Sequence, residues 1–112
     1  PAAGEALADT LKTLPERPTH LICGMLATKD VAGYLMPLSR VAASLQAVAI
    51  PGEAATLPAE DTAAASVSVG LPTAVARSVE DALAEIVESD PAARVLICGS
   101  LYLAGAVLRE NG

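Results

Sequence analysis

The chain has 112 residues and a formal net charge of −6, and its seven lysines and arginines form no cluster. This charge argues against a protein that follows nucleic-acid phosphates with a basic face. No apolar run approaches the roughly 20 residues of a membrane span, and the first residues lack the basic flank of a signal peptide. We therefore expect a soluble cytoplasmic protein that binds neither membrane nor nucleic acid.

The first predicted element is a helix from Ala2 to Leu14, ended by the prolines at positions 15 and 18. Its leucines fall on one helical face: Leu7, Leu11 and Leu14. The next segment, Thr19 to Met25, is an apolar run bounded by turn residues, which is typical of a buried strand. Because the hydrophobic fraction is 53% without any Phe or Trp, small aliphatic residues must build the core.

A second helix is predicted to begin after Asp30, which is suited to cap it. Its apolar stripe is expected at Val31, Leu35, Leu38 and Ala42. Pro37 should kink or split this helix, because proline lacks the N–H that an interior position needs. Leu45 to Ile50 is the next predicted strand, and Pro51 and Gly52 close it.

The second half of the chain repeats this alternation. Thr56 to Pro58 opens a helix that should run to about Val69, and residues 74–76 form a short strand. Ser78 and the acidic Asp81 resemble a capping box at the start of a fourth helix. The apolar face of that helix is predicted at Val79, Leu83, Ile86 and Val87.

Arg94 to Cys98 is the last predicted strand, and Leu101 to about Arg109 the last helix. Alternating strands and helices predict a Rossmann-like α/β fold, with a mostly parallel sheet covered by helices on both faces. Because the chain begins on a helix, we expect the first strand to be missing. Residues 1–112 are then one domain cut from a larger protein.

Ligands of open parallel sheets bind beyond the carboxyl ends of the strands. Two loops at that edge begin with a glycine directly after a strand, at Gly24 and Gly99. The first loop lacks the second glycine and the Lys-Ser/Thr ending of a Walker loop. Its Lys29 and Asp30 are either an exposed lysine beside a helix cap or a contact for a nucleotide. Ser100 in the second loop either caps the last helix or presents its N–H groups to a carboxylate or phosphate.

No reaction centre is evident from spacing alone. Cys23 and Cys98 occupy matching Leu-Ile-Cys-Gly segments, which predicts two buried, reduced thiols. His20, the only histidine, precedes a strand at the opposite edge and is expected at the surface. One histidine and two cysteines do not make a structural zinc site, so we predict no metal ligand and no catalytic residue in this chain.

Three segments together resemble the carboxyl-terminal domain of folylpolyglutamate/dihydrofolate synthases, members of the Mur ligase superfamily. They are the opening residues 1–4, the loop from Gly24 to Asp30, and the tail from Leu96 to Gly105. The resemblance covers essentially the whole chain, and the Gly-Ser-Leu-Tyr sequence of the tail is its most specific part.

The resemblance implies an ATP-dependent amide ligase of folate metabolism. In that family ATP phosphorylates a carboxylate of dihydropteroate or folate, and L-glutamate attacks the acyl phosphate. ATP and Mg²⁺ are held mainly by an amino-terminal ATPase domain of the same polypeptide, so the metal ligands lie outside this chain. Lys29 and Asp30 match a Lys-Asp pair that faces the interdomain cleft, and Ser100 matches a serine near the incoming glutamate. The resemblance gives supporting places to Gly24, Gly99 and Tyr102.

The chain also departs from the family pattern. Thr28 stands where the family often has an acidic residue, and residues 51–55 lack an arginine that many relatives carry. An Asp/His motif of the family would lie upstream of Pro1. We therefore predict that the isolated chain has no ligase activity and binds ATP weakly at best.

Other interpretations stay open at this point. The domain could belong to a different Mur-type amino-acid ligase, with another substrate. It could also be a free-standing α/β module that binds a small anion at the helix start beside Ser100. A pure interaction domain is the third possibility, and a stable dimer would support it.

Overall fold

A computed structural model describes residues 2–26, 30–52 and 54–99. Its sheet has four parallel strands in the order β3-β2-β1-β4, and this confirms the predicted α/β fold class. The elements in chain order are α1 (Ala2–Lys12), β1 (Thr19–Cys23), α2 (Val31–Leu38), β2 (Ser44–Ala47), α3 (Ala59–Ser68), β3 (Thr73–Val75), α4 (Val79–Ser89) and β4 (Arg94–Cys98).

Helices cover both faces of the sheet. Alternate strand residues point to opposite faces, so Leu21 and Leu45 join one core while Ile22 joins the other. The larger core includes buried residues of α1, α2 and α3, and the smaller core includes the buried face of α4. Among the described residues, no helix is long and apolar enough to cross a membrane.

The strand order reverses in the middle of the sheet. The chain steps from β1 to β2 and then to β3, and it returns through α4 to place β4 on the other side of β1. Such a reversal separates the loops that follow the two adjacent strands, and it opens a crevice at their carboxyl ends. The fold therefore places its natural ligand crevice between the ends of β1 and β4.

Two predicted caps are present. The Gly33 N–H donates to Asp30 Oδ1 over 3.1 Å at the start of α2, and the Asp81 N–H donates to Ser78 Oγ over 3.1 Å at the start of α4. Pro37 lies inside α2, which ends one residue later at Leu38. Ala42 of the predicted stripe is therefore beyond the helix.

The predicted apolar face of α4 was partly wrong. Leu83 and Val87 are 38% and 50% exposed, whereas Val79, Ala82 and Ile86 are buried. The helix lays a narrow stripe on the sheet, with the small Ala82 at the contact, and the larger flanking side chains extend into solvent. Leu14 is likewise 43% exposed, because α1 ends at Lys12 instead of Leu14.

Several element ends also differ from prediction. β1 ends at Cys23 and β2 at Ala47, although the apolar runs continue into the buried Met25, Val48 and Ile50. These residues fill the core without belonging to a strand, since burial does not require strand pairing. The predicted helix from Leu101 lies outside the described residues.

Candidate functional site

The loops after β1 and β4 leave the sheet side by side. Cys23 pairs with Cys98 in the parallel register, and the Gly24 N–H donates to the Cys98 carbonyl over 3.3 Å. Both loops therefore start from one point at the carboxyl edge. This is the point where the strand order reverses.

Gly99 allows the two loops to approach this closely. Its φ of +101° is in the region that L side chains rarely adopt, and a Cβ there would lie 2.5 Å from the Gly24 carbonyl oxygen. The same Cβ would lie 2.7 Å from Met25 Sδ and 3.0 Å from Cys23 Sγ. The contact of Gly24 with Gly99, which we call the glycine contact, thus fixes the base of the crevice.

Asp30 is the one predicted charged site residue that the structure describes. It is exposed, and its Oδ1 accepts the Gly33 N–H at the start of α2. Lys29, Ser100 and Tyr102 lie outside the described residues, so their predicted places in the site stay predictions.

Two cysteines, Cys23 and Cys98, lie next to the glycine contact, and together with Tyr34 we call them the sulfur cluster. Cys23 and Cys98 are free thiols, as predicted, and both are buried. A hydrogen bond with Cys98 and burial raise the pKa of Cys23 well above its usual range. The hydrogen bond with Cys23 lowers the pKa of Cys98, and a further one from Tyr34 lowers it too.

Sequence reasoning missed Tyr34, which lies on α2 four residues after Asp30. Burial raises the pKa of its hydroxyl. The side chain of Cys98 raises this pKa further by its proximity, and the Gly99 backbone lowers it. Tyr34 thereby joins the helix that Asp30 caps to the end of β4. The sequence offered one signal for Tyr34: the chain has only two tyrosines and no Phe or Trp.

The loop after β2 is joined to the loop after β1. Leu26 and Thr56 form an antiparallel bridge, and the Leu57 N–H donates to the Met25 carbonyl over 2.9 Å. The Thr56 hydroxyl accepts the Ile50 N–H over 2.8 Å. These bonds hold residues 56–57 of the loop after β2 against residues 25–26 of the loop after β1.

His20 lies at the amino edge of the sheet, as expected, but not as a free surface residue. Its side chain is 18% exposed, Nδ1 is hydrogen bonded to Ser44 Oγ, and Nε2 lies 3.7 Å from Asp90 Oδ2. His20 thus joins the starts of β1 and β2 to the residue after α4, and these contacts account for its position without a role in substrate binding. Among the described residues, no group of three His, Cys, Asp or Glu could hold a metal ion.

Comparisons with known proteins point to one kind of enzyme. No family model and no curated protein matches the chain. Solved structures do match, and one is Mycobacterium tuberculosis folylpolyglutamate synthase complexed with ADP. It is 28% identical with a TM-score of 0.88, over 99% of this chain and 28% of that one. Escherichia coli FolC in complex with DHPP and ADP is 26% identical with a TM-score of 0.82, over 98% of this chain and 26% of that one.

A third structure extends the likeness in fold. The bifunctional folylpolyglutamate synthase/dihydrofolate synthase of Yersinia pestis, with AMPPNP and a Mn ion, is 22% identical with a TM-score of 0.80, over 98% of this chain and 26% of that one. The chain thus spans about a quarter of the length of the proteins it matches. The resemblance seen in the sequence is confirmed, and the match is consistent with a carboxyl-terminal domain.

Proposed function

We propose that this chain is the carboxyl-terminal domain of an ATP-dependent ligase that adds L-glutamate to dihydropteroate or folate through an acyl phosphate. The observation that carries the proposal is the match to an ADP-bound folylpolyglutamate synthase over 99% of the chain, at 28% identity and a TM-score of 0.88. The ligands named for the similar structures are of the required kinds: ADP and DHPP in one, and AMPPNP, Mn and L-glutamate in another.

In this proposal the crevice between β1 and β4 faces the interdomain cleft. The glycine contact starts two loops from one base, so residues 24–30 and the segment after Gly99 are brought to one substrate. Lys29 would supply a positive charge to the nucleotide, and Asp30 would combine its capping role with a contact at the cleft. Because the chain carries a net charge of −6, anionic ligands need such focused local donors.

Ser100 would hold the incoming glutamate. A serine hydroxyl next to helix N–H groups suits a carboxylate, because both donate hydrogen bonds to negative charge. The geometry before it supports this assignment, since Gly99 directly follows β4 at the edge where Asp30 also lies. The domain would then act by positioning the glutamate amine and excluding water from the acyl phosphate.

The phosphate loop and the magnesium ligands belong to the partner ATPase domain in this proposal. Mg²⁺ would neutralise the developing charge on the transferred phosphoryl group when it is bound there. This chain supplies side chains to one wall of the cleft only. We therefore predict that the isolated chain is inactive and binds ATP weakly at best.

The sheet itself favours a further strand before α1. Among the described residues, β4 pairs only with β1, and its other edge is free of strand partners. α1 packs against α2, on the face through which the chain moves from β1 to β2 and β3. Since parallel crossovers are right-handed, a strand that precedes α1 would lie beyond β4. The expectation that 1–112 is one domain of a larger enzyme agrees with this arrangement.

Glutamate-dependent phosphate release from ATP by the full-length parent tests the proposal, with dihydropteroate and tetrahydrofolate compared as acceptors. We expect turnover with at least one acceptor, and a raised KM for glutamate in Ser100→Ala. Ser68→Ala is the matched control, because Ser68 is exposed and its hydroxyl donates to the Ala65 carbonyl of its own helix. A folded parent that binds ATP but turns over neither acceptor would indicate another amino-acid ligase of the superfamily.

A further inference from the structure

A cavity lies at the amino edge of the sheet, on the face that α1 and α2 cover. It is bounded by the loop between α1 and β1, by the segment after α2 and by the start of β4, and its volume is about 650 Å³. This volume falls within the range of about 300–1,000 Å³ that is usual for small-molecule sites. We call it the basic cavity, because its lining includes four cationic side chains: Lys12, Arg17, Arg40 and Arg94.

The fold brings these four cations together from separate parts of the chain. Lys12 ends α1, and Arg17 lies in the loop before β1. Arg40 follows α2, and Arg94 begins β4. They are four of the seven lysines and arginines of a chain whose net charge is −6, and Glu16 alone is acidic among the described residues of the lining. The basic cavity therefore concentrates positive charge on a protein whose overall field repels anions.

Three of these cations are exposed and have little neutralising contact with carboxylates. Lys12 makes a 3.9 Å contact with Asp9, and both side chains are largely exposed, so this ion pair contributes little. Arg17 and Arg40 are exposed, and neither forms an ion pair or a side-chain hydrogen bond with another described residue. Their guanidinium groups are thus open to an anion from solution.

Arg94 is the cation whose position is fixed by the fold. Its guanidinium donates to the Pro15 carbonyl over 2.8 Å and to Thr19 Oγ1 over 3.5 Å. The residue is half-buried, and no described carboxylate pairs with it. Because a guanidinium has five N–H groups, Arg94 keeps donors for a ligand after these two bonds. The basic cavity therefore combines one held guanidinium with two exposed ones.

We propose that the basic cavity binds a small polycarboxylate with at least three carboxylate groups. Guanidinium groups pair with carboxylates through two parallel hydrogen bonds, and three such groups line the cavity. The methylene groups of the ligand pack on Leu14, which lines the cavity and is 43% exposed. L-Glutamate is not a ligand of this site, because its ammonium group offsets one of its two carboxylates. The cavity lies at the edge opposite the crevice, so the proposal does not depend on the ligase assignment.

Two of the four cations have a competing explanation. Lys12 lies in the last turn of α1, and Arg40 follows the end of α2 by two residues. Positive charge at these places stabilises the carbonyl end of a helix without any ligand. Arg17 lies in a loop and has no such role, so its replacement tests ligand binding alone. Arg94 is left in place, because its loss would also break the bond to the Pro15 carbonyl.

Calorimetric titration of the folded 112-residue chain with citrate tests the proposal. Acetate at the same ionic strength, L-glutamate and pyrophosphate are titrated in parallel, and cooperative thermal unfolding verifies that each sample is folded. We expect citrate to bind at one saturable site. Acetate and L-glutamate should not saturate over the same concentrations, and pyrophosphate should bind more weakly than citrate.

A variant and its matched control assign the binding to the cavity. Arg17→Gln removes one charge-assisted hydrogen bond and should weaken citrate binding by about tenfold without lowering the melting temperature. Arg77→Gln is the control, because it changes the charge equally at an exposed residue after β3 that does not line the cavity. Its citrate affinity should equal that of the unmodified chain, since solvent and salt screen a charge at the opposite edge.

Three results would overturn the proposal. If citrate binds no more tightly than acetate, the cations of the cavity serve the fold and no ligand. If Arg17→Gln and Arg77→Gln lose affinity equally, citrate does not bind in the basic cavity. If pyrophosphate binds more tightly than citrate, the site selects phosphates and the assignment to carboxylates is wrong.

Discussion

The two edges of the sheet are built in different ways. At the carboxyl edge, backbone meets backbone, with Gly99 placed so that a Cβ would fall 2.5 Å from the Gly24 carbonyl. At the amino edge, side-chain bonds add to backbone bonds such as those from the Arg94 N–H to the Pro18 carbonyl and from the Ala43 N–H to the Thr19 carbonyl. The Arg94 guanidinium donates to the Pro15 carbonyl over 2.8 Å, and His20 is bonded to Ser44.

The two edges therefore have different roles: one connects the elements of the fold, and the other positions the loops of the crevice. Side-chain bonds at the amino edge hold the elements together and tolerate small displacements. At the base of the carboxyl edge Gly99 has no room for a Cβ of its own, so backbone geometry fixes where the two loops start. A crevice that must place two loops on one substrate gains from such a rigid base.

The largest effect is expected from filling the glycine contact. Gly99→Ala introduces a Cβ that overlaps the Gly24 carbonyl and also forces an L residue to a φ of +101°. Because the clash is with backbone, we expect a loss of about 3 kcal/mol in the free energy of unfolding, measured with urea.

Gly70→Ala separates the two contributions. Gly70 has a φ of +90°, but its added Cβ would meet nothing within 4 Å. It should therefore lose only about 1 kcal/mol, the cost of the backbone conformation. Equal losses in the two variants would show that the glycine contact is not close.

An intermediate effect is expected at Asp30. Asp30→Ala removes the cap of α2 and should lower the free energy of unfolding by about 1 kcal/mol, whereas Asp30→Asn keeps the cap and should leave it nearly unchanged. If the carboxylate also serves the cleft, both variants will raise the KM for ATP in the full-length parent. An Asp30→Asn enzyme with normal kinetics would limit Asp30 to capping.

The smallest effect is expected from Tyr34→Phe, which removes one hydroxyl from the sulfur cluster. Because the Tyr34 hydrogen bond lowers the pKa of Cys98, its loss should move the first thiolate absorbance step to higher pH. The exposed Met36 on the same helix provides the control, since Met36→Leu should leave that step in place. If the pH of the thiolate absorbance step is unchanged in Tyr34→Phe, the Tyr34 hydroxyl does not interact with Cys98.

Much of the fold follows from sequence pattern, and its failures have local causes. The limits of β4 are as predicted, because Arg94 and Gly99 bracket its apolar run. β1 and β2 were drawn too long, because apolar residues such as Met25 and Val48 are buried after the strand ends. The α4 stripe was misplaced onto Leu83, since periodicity favours large residues and the contact uses Ala82.

The candidate site shows a similar division. Gly99 and the cap at Asp30 were predictable, because positive φ and helix caps are local requirements of the backbone. Tyr34 was not, since its place depends on which residues α2 brings near the sheet. Such partners are set by tertiary packing and leave no mark in the spacing of the sequence.

Hydrogen–deuterium exchange of the full-length parent, with and without ADP and L-glutamate, tests the central claim most directly. The account predicts that the ligands slow exchange at the carboxyl edge, in residues 24–30 and 99–102. Residues 15–20 and 39–44 at the amino edge should exchange as before. Protection confined to the amino edge, or none at the carboxyl edge of a parent that binds ADP, would contradict it.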